Sequence, residues 1–349
     1  MTIRQIPEAK PLFLERMQKL LSNEKDFNEY MKMLKVPIVK SIRCNKLKIS
    51  PESLKKRLEE KGWKIKQPWK NFPEVMIIEG KYGTVNDKNN DYVDDDKRVS
   101  KRGDNLVDLS PGELGNSIEH LLGYYYVQEL ASMLPVIALN PERGETILDL
   151  CASPGSKTTQ LASETDNSGT IIANEISIGR IKILANNLER CGVSNVIITK
   201  KEGSALCRRL NKLDFQFNKI LVDAPCSGEG TLRSSPRTYI MWNINSIKQL
   251  SGIQKNLVSS AIPLLKVGGE LIYSTCTHAP EEDEEIVDFI LKNFPEMKIQ
   301  KIFLPVKSRE GITNWEGKSY SKDTKLSHRI YPQDNNTEGF FLAKFRKIK

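Results

Sequence analysis

Two cysteines, Cys226 in VDAPCSGEGTLR and Cys276 in YSTCTHAP, each stand just past a short apolar run. Such a run reads as a buried strand that gives out onto a loop. Alone, either cysteine would be a small packed residue. Here Asp223 closes the run KILVD ahead of Cys226, so a carboxylate and a thiol share one loop. Lys157, in CASPGSKT, follows a third apolar run. A nearby lysine favours the thiolate. Thiols, a carboxylate and a cation together suit a nucleophile with supporting acid and electrostatic groups.

A methyl transfer to carbon 5 of cytosine needs such a set. That carbon is too poor a nucleophile to attack a methylsulfonium directly. A thiolate adding to carbon 6 turns the ring into an enamine with electron density at carbon 5. A carboxyl group at ring nitrogen 3 stabilises the developing charge. After transfer, a base removes the carbon 5 proton and the thiol is eliminated, so one hard step becomes several easier ones. An amine methyltransferase needs no thiol, because its nitrogen lone pair attacks directly.

The elements that must position these groups are legible as apolar runs. ETILDLC (145–151), GTIIANE (169–175), NVIITK (195–200), KILVDAP (219–225) and GELIYSTC (269–276) read as strands. SKTTQLASE, SIGRIKILANNLERCG and INSIKQLSGIQKNLVSSAIPLLK read as helices between them. This alternation predicts an α/β fold with a doubly wound, mostly parallel sheet. Function in such a sheet gathers at the carboxyl ends of the strands. That selects Asp149–Lys157, Glu175, Glu202, Asp223–Gly230 and Cys276.

The turn CASPGSKT can bring backbone N–H groups to a ligand. It lacks the glycines of both the phosphate-binding loop and the dinucleotide fingerprint. Glu175, ending the second strand, is placed for the two hydroxyls of a ribose. A nucleoside cofactor without a pyrophosphate fits, and S-adenosylmethionine is the common one. An ordinary tight turn with Lys157 in solvent is the plain alternative. HAPEEDEE after Cys276 reads as a loop and the acidic first turn of a helix, where carboxylates suit the dipole.

The first third of the chain has another texture. Residues 8–34 read as helices, VPIVKSIRCNKLK as a strand, and SPESLKKRLEEKG as a helix started at Ser50-Pro51 and stopped at Gly62. WKIKQPW and EVMIIEG read as further strands. A small α+β module over 1–117 and an α/β domain over 118–349 are therefore expected. Residues 83–105 are polar and read as a flexible insertion or linker.

Hydrophobic residues make up 39% and charged residues 28% of the chain, as in ordinary soluble proteins. No apolar run suggests a membrane span, and the N-terminus lacks the core of a signal peptide. The six cysteines show no CxxC pair and no zinc spacing, so no metal site and free thiols in a reducing compartment are expected. A cytoplasmic location follows by default, or a nuclear one in a eukaryote. The formal net charge is +9, and residues 1–70 carry 18 Lys and Arg against 8 Asp and Glu. A basic segment on a near-neutral remainder fits a phosphate-rich partner, or else a lysine-rich solvated face.

DLCASPGSKTTQLA, ANE, VDAPCSGEGTLR and YSTCT resemble successive motifs of the NOL/NOP/SUN family of RNA cytosine-5 methyltransferases. YYYVQELASMLPV resembles the segment that leads into its first strand, SIRCNKLK its arginine–asparagine element, and HRIYPQDNNTEGFFLAKF its C-terminal strand pair. The resemblance spans nearly the whole chain. It implies a Rossmann-like S-adenosylmethionine methyltransferase domain behind a small RNA-recognition-like domain. It implies that Cys151, Ala152, Ser153, Pro154, Gly155, Ser156 and Lys157 hold the methionine end and Glu175 the ribose. Cys276 would be the attacking thiol and Cys226 would help release the product. Asp223 would contact the cofactor region or the target base, with Lys157 near the base. The family commonly has Asp after the third strand, near the adenine. Here Glu202 is the nearest acid. A monomer acting on RNA is implied, with transfer RNA favoured and ribosomal RNA the rival. A non-catalytic RNA-binding assembly factor is the alternative of another class.

Overall fold

The computed structural model describes residues 7–21, 23–84 and 102–349. Packing divides the chain into two compact units, one formed by the chain up to Ile38 with Glu129–Lys349, the other by Val39–Gln128. The expected boundary at 117/118 is not where the packing divides. The reason lies in α1 (Pro11–Leu21) and α2 (Glu24–Met33). An amphipathic helix goes where its apolar stripe finds a partner. Phe13, Met17, Leu21 and Tyr30 share a core with Leu232, Tyr239, Trp242, Ala279 and Tyr331 of the larger unit. Arg16 also donates to Glu281 at 2.7 Å.

The Val39–Gln128 unit is a five-stranded antiparallel sheet. Its strands are β1 (Lys40–Cys44), β2 (Trp63–Lys66), β3 (Val75–Thr84), β4 (Arg102–Val107) and β5 (Tyr125–Val127). The order is β2-β3-β1-β5, with β4 paired to β3. Helix α3 (Pro51–Glu60) joins β1 to β2, and Ser50 caps it by accepting from Ser53 N. Ile42, Leu54, Leu58, Trp63, Met76 and Ile78 fill the core. The segment expected to be an insertion is shorter than 83–105 at both ends. Residues 83–84 and 102–105 lie in β3 and β4, and 85–101 fall outside the described residues. Short helices α4 (Glu113–Asn116) and α5 (Ile118–Leu121) precede β5.

The larger unit opens its α/β part with α6 (Leu130–Leu139). Five parallel strands then form the centre: β6 (Thr146–Asp149), β7 (Thr170–Asn174), β8 (Val196–Thr199), β9 (Phe217–Asp223) and β10 (Leu265–Thr275). Their spatial order is β10-β9-β6-β7-β8. Between them run α7 (Ser156–Glu164), α8 (Ile178–Cys191), α9 (Gly203–Asn211), α10 (Arg237–Met241) and α11 (Ile244–Ala261). Helix α12 (Glu284–Asn293) follows β10.

The margin of the sheet is antiparallel. It comprises β11 (Met297–Gln300), β12 (Arg309–Glu310), β15 (His328–Ile330) and β16 (Phe340–Lys347). A separate hairpin, β13 (Asn314–Trp315) with β14 (Lys318–Ser319), stands off it, and α13 (Pro332–Asn335) precedes β16. The central strands are buried and rich in Ile, Leu and Val, as a sheet covered on both faces requires. Leu206 of α9, Leu257 of α11 and Ile286 of α12 pack with Leu148, Ile220 and Leu271 in one core. The arrangement is the Rossmann-like α/β fold expected of a methyltransferase domain. No helix among the described residues is long and apolar enough to cross a membrane.

Candidate active site

The parallel strands end in one row. Asp149 is the last residue of β6 and Asp223 the last of β9, and Cys276 follows β10. Glu175 and Glu202 lie just past β7 and β8.

The turn after β6 is held by its neighbours. Ala152 N donates to Asn174 O at 2.9 Å and Gly155 N to Ala152 O at 2.8 Å. Ser153 Oγ donates to Arg180 O at 3.0 Å, and Asn187 Nδ2 to Pro154 O at 2.8 Å. Gly155 takes φ 105, and a Cβ there would meet Leu184 Cδ1 at 3.0 Å. Both the left-handed backbone and the close helix demand glycine. Cys151 is half-buried, and burial pushes its thiol up, away from the reactive range. Ser156 opens α7 and turns Lys157 inward.

Lys157 is not solvated. Its Nζ donates to Asp223 Oδ2 at 2.7 Å and to Ser132 Oγ at 3.1 Å, and it lies 5.4 Å from the Phe340 ring centroid. Asp223 accepts from Ser274 Oγ at 2.8 Å through its other oxygen. A chain of polar contacts thus ties the β6 turn, the end of β9 and the end of β10.

The two thiols meet on this rim. Cys226 Sγ and Cys276 Sγ are 3.1 Å apart, and both cysteines are free. A disulfide would need about 2.05 Å. Cys276 N–H points at Cys226 Sγ at 3.3 Å. The contact with Cys276, and then burial, push the Cys226 thiol well above its ordinary value.

Glu175 is buried, accepting from Ser177 N at 2.9 Å and pairing with Arg180 at 3.3 Å. Arg180 also donates to Ser153 O at 2.7 Å, so it bridges Glu175 to the β6 turn. Glu202 has a different occupation. It caps α9, accepting from Ser204 N at 2.9 Å and Ala205 N at 2.7 Å. Its contacts do not join it to the other predicted residues.

Several residues of the site carried no role in the sequence reading. Asp149 Oδ2 accepts from Thr158 Oγ1 at 2.7 Å, while Oδ1 is buried with no partner. Burial, with Asp223 adding to it, pushes the Asp149 carboxyl up to about 7. Asn174 Nδ2 donates to Leu150 O and Lys201 O, linking three strand ends. The acidic run after Cys276 does place Glu284 and Glu285 in the first turn of α12. Yet Glu282, Asp283 and Glu284 are fully buried, each against a polar partner. Thr275 Oγ1 donates to Asp283 at 2.6 Å, Arg329 Nε to Glu284 at 2.6 Å, and Ser227 N to Glu282 at 3.0 Å. Asn174 could have been found by asking which polar residues end apolar strands, the question that already selected Asp149. Nothing local marks Glu282.

These residues fit S-adenosylmethionine. The orphaned Asp149 oxygen can accept from an ammonium group. Each Glu175 oxygen has one contact in the fold, and a carboxylate offers about four acceptor sites, which leaves capacity for a diol.

Known proteins resemble this chain in sequence and fold. The family model "16S rRNA methyltransferase RsmB/F" matches residues 136–346. The tRNA (cytosine(49)-C(5))-methyltransferase of Pyrococcus abyssi is 38% identical over 96% of this chain and 95% of its own length. The ribosomal RNA small subunit methyltransferase F of Vibrio campbellii is 36% identical over 98% of this chain, which spans 63% of that relative. The crystal structure of a methyltransferase homologue from Pyrococcus horikoshii superposes with a TM-score of 0.77 at 32% identity, over 97% of this chain and 95% of that one. On the strength of the family model and these matches, the chain belongs to the RsmB/F family of RNA methyltransferases, the NOL/NOP/SUN enzymes its motifs resemble.

Proposed function

We propose that this enzyme methylates carbon 5 of a cytosine in transfer RNA, with Cys276 as the nucleophile and Cys226 assisting product release. The observation that carries the reading is the pair of free thiols 3.1 Å apart beside the Lys157–Asp223 contact. A packing cysteine needs neither a second thiol nor an ion pair.

Cys276 Sγ adds as thiolate to carbon 6 of the base. The ring electrons move toward carbon 5 and nitrogen 3, where the Lys157 ammonium, oriented by Asp223, stabilises the negative charge. Bound S-adenosylmethionine supplies an electrophilic methyl group. Asp149 and the 151–157 turn hold its methionine end, and Glu175 its ribose. A base then takes the carbon 5 proton, the electrons of that C–H bond restore the ring double bond, and the carbon 6–sulfur bond breaks to release Cys276 as thiolate. Cys226, in contact with that sulfur, assists this elimination. The target base has to leave its stack to reach the rim.

Transfer RNA is favoured over ribosomal RNA by the relative named for it, which is 38% identical over 96% of this chain. The Val39–Gln128 unit, with its exposed lysines, is the RNA-binding module. The test is methyl transfer from labelled cofactor to transfer RNA and to small-subunit ribosomal RNA. Cys276→Ala should abolish transfer and leave cofactor binding near normal. Turnover by Cys276→Ala would sink the nucleophile assignment. Tight RNA binding with no transfer to either RNA would favour the assembly factor.

A further inference from the structure

Glu282 is fully buried, yet the reaction as derived gives it no role. Its carboxylate accepts from Ser227 N at 3.0 Å and from Gln254 Nε2 at 2.8 Å. The same Gln254 amide donates to Pro225 O at 2.9 Å. Pro225 and Ser227 are the residues on either side of Cys226. Glu282 and Gln254 together therefore grip the backbone before and after that thiol. Glu282 is itself fixed, since Tyr273 OH donates to its carbonyl at 2.5 Å. Ser227 Oγ is a further 2.8 Å from Thr277 Oγ1.

Cys276 is held by other means. Its strand pairs with β9 and β16 up to Ser274 and Thr275, and Thr275 is anchored on Asp283. The two thiols are thus gripped by different side chains, Cys226 through Glu282 and Gln254 and Cys276 through its strand and Asp283. A buried carboxylate costs stability unless it is well bonded, so an apolar residue would fill this space more cheaply. What the carboxylate adds is a two-sided hold on one short glycine-rich turn, APCSGEG.

We infer that Glu282 is the positioning residue for Cys226, acting with Gln254 to keep its sulfur against Cys276 for product release. The inference rests on Cys226 having that release role. It makes an asymmetric claim: loosening the grip slows the end of the reaction and spares its beginning. Bond formation between Cys276 and carbon 6 proceeds. Removal of the carbon 5 proton with departure of Cys276 is delayed, because Cys226 is out of place.

The experiment uses the full chain, transfer RNA and S-adenosylmethionine, with adduct formation and release followed separately on denaturing gels. Glu282→Gln keeps the shape and removes the charge, so the two charge-assisted contacts that Ser227 N and Gln254 Nε2 make to Oε2 fall to weaker neutral ones. A misplacement of this size costs about tenfold to a hundredfold in the step it touches, so release should slow by that factor while adduct formation is unchanged. The covalent protein–RNA band should then accumulate, as in Cys226→Ala, and combining the two substitutions should slow release no further. Adduct in Cys226→Ala with none in Glu282→Gln overturns the inference and leaves the role of Cys226 standing. No adduct in Cys226→Ala overturns that role, and the inference with it. Should Glu282→Gln fail to fold, Gln254→Ala removes the grip on Pro225 and leaves the carboxylate. It should show the same selective delay in smaller measure, and normal release by Gln254→Ala overturns the inference.

Discussion

Two charged stretches of this chain meet opposite fates. The acidic run 281–285 follows Cys276, and its first four side chains are buried. The stretch 39–70 carries 11 Lys and Arg against 3 Glu, and Lys46, Lys56, Lys64, Lys66 and Lys70 are exposed. Charge density alone would put both in water. The difference lies in the partners each group can find. Carboxylates are short acceptors that backbone N–H groups and arginine forks meet in fixed geometry. Glu281 has Arg16, Glu282 has Ser227 and Gln254, Asp283 has Thr275, and Glu284 has Arg329. A lysine ammonium on a flexible stem is better served by leaving its stem on the surface and its head in water. One stretch therefore organises the thiol rim from within, and the other presents its charge to solvent, where a phosphate can reach it.

The largest effect expected from this contrast falls on Arg329. It donates to Glu284 and, at 3.0 Å, to His278 O, and it lies 3.7 Å from Asp283. Arg329→Ala would leave Glu284 and Asp283 buried without their cation. Breaking such a site costs about 3–5 kcal/mol. Chemical denaturation should show a loss of that size. A loss below about 1 kcal/mol would mean that these carboxylates hold themselves. In the lysine-rich stretch, Lys64 pairs with Glu79 at 3.0 Å but stays half exposed. Lys64→Ala should move stability by no more than about 0.5 kcal/mol.

Acid dependence gives a second, smaller separation. Burial pushes the carboxyls of Asp149 and Glu282 up to about 7. In the unfolded chain both titrate near the ordinary value of about 4. Between these values the native state holds more protons than the unfolded one, so these two groups lower stability as pH rises from about 4 to about 7, with no further change above. Asp26 and Asp334 act oppositely. Hydrogen bonds from Arg309 hold both below the usual carboxylate range, and their contribution is lost as pH falls through it. Asp149→Asn and Glu282→Gln should each flatten the fall of the denaturant midpoint as pH is raised from mildly acidic to neutral. Unchanged slopes in both variants would show that neither carboxyl titrates as its burial requires.

How much of this could be read from the sequence follows the range of the interactions. The five central strands were legible because each is a short apolar run bounded by polar residues. Their carboxyl ends then placed Lys157, Asp223, Cys226 and Cys276 along one rim by topology alone. The C-terminal strand pair was legible from its motif, and β15 and β16 do pair. What could not be read depends on contacts distant in sequence. The destination of α1 is set by Tyr239 and Trp242, whose rings lie 5.7 Å from that of Phe13. Glu282 gains its meaning from Ser227 and Gln254. No local pattern distinguishes a glutamate with those partners from a helix-starting glutamate in solvent. Glu202, read as the acid nearest the adenine, has a second occupation that no local pattern shows: it accepts from two backbone N–H groups of its own helix.

The smallest expected effect on the fold is the sharpest test of the other stretch. Strand β2 alternates strictly, with Trp63 and Ile65 buried and Lys64 and Lys66 exposed. Two lysines on one face of a strand give a paired electrostatic contact for a phosphate backbone. Replacing both by Ala removes no core atom, so the denaturation midpoint should hardly move. Binding to transfer RNA should weaken alike for all sequences, because phosphate contacts carry no base information. The slope of log affinity against log salt should fall by about 1 for each of these lysines that meets a phosphate. An unchanged slope would assign the RNA surface elsewhere in the chain and leave these lysines as ordinary solvated charges. A reduced slope with unaltered stability would separate the two stretches by function as the structure separates them by burial.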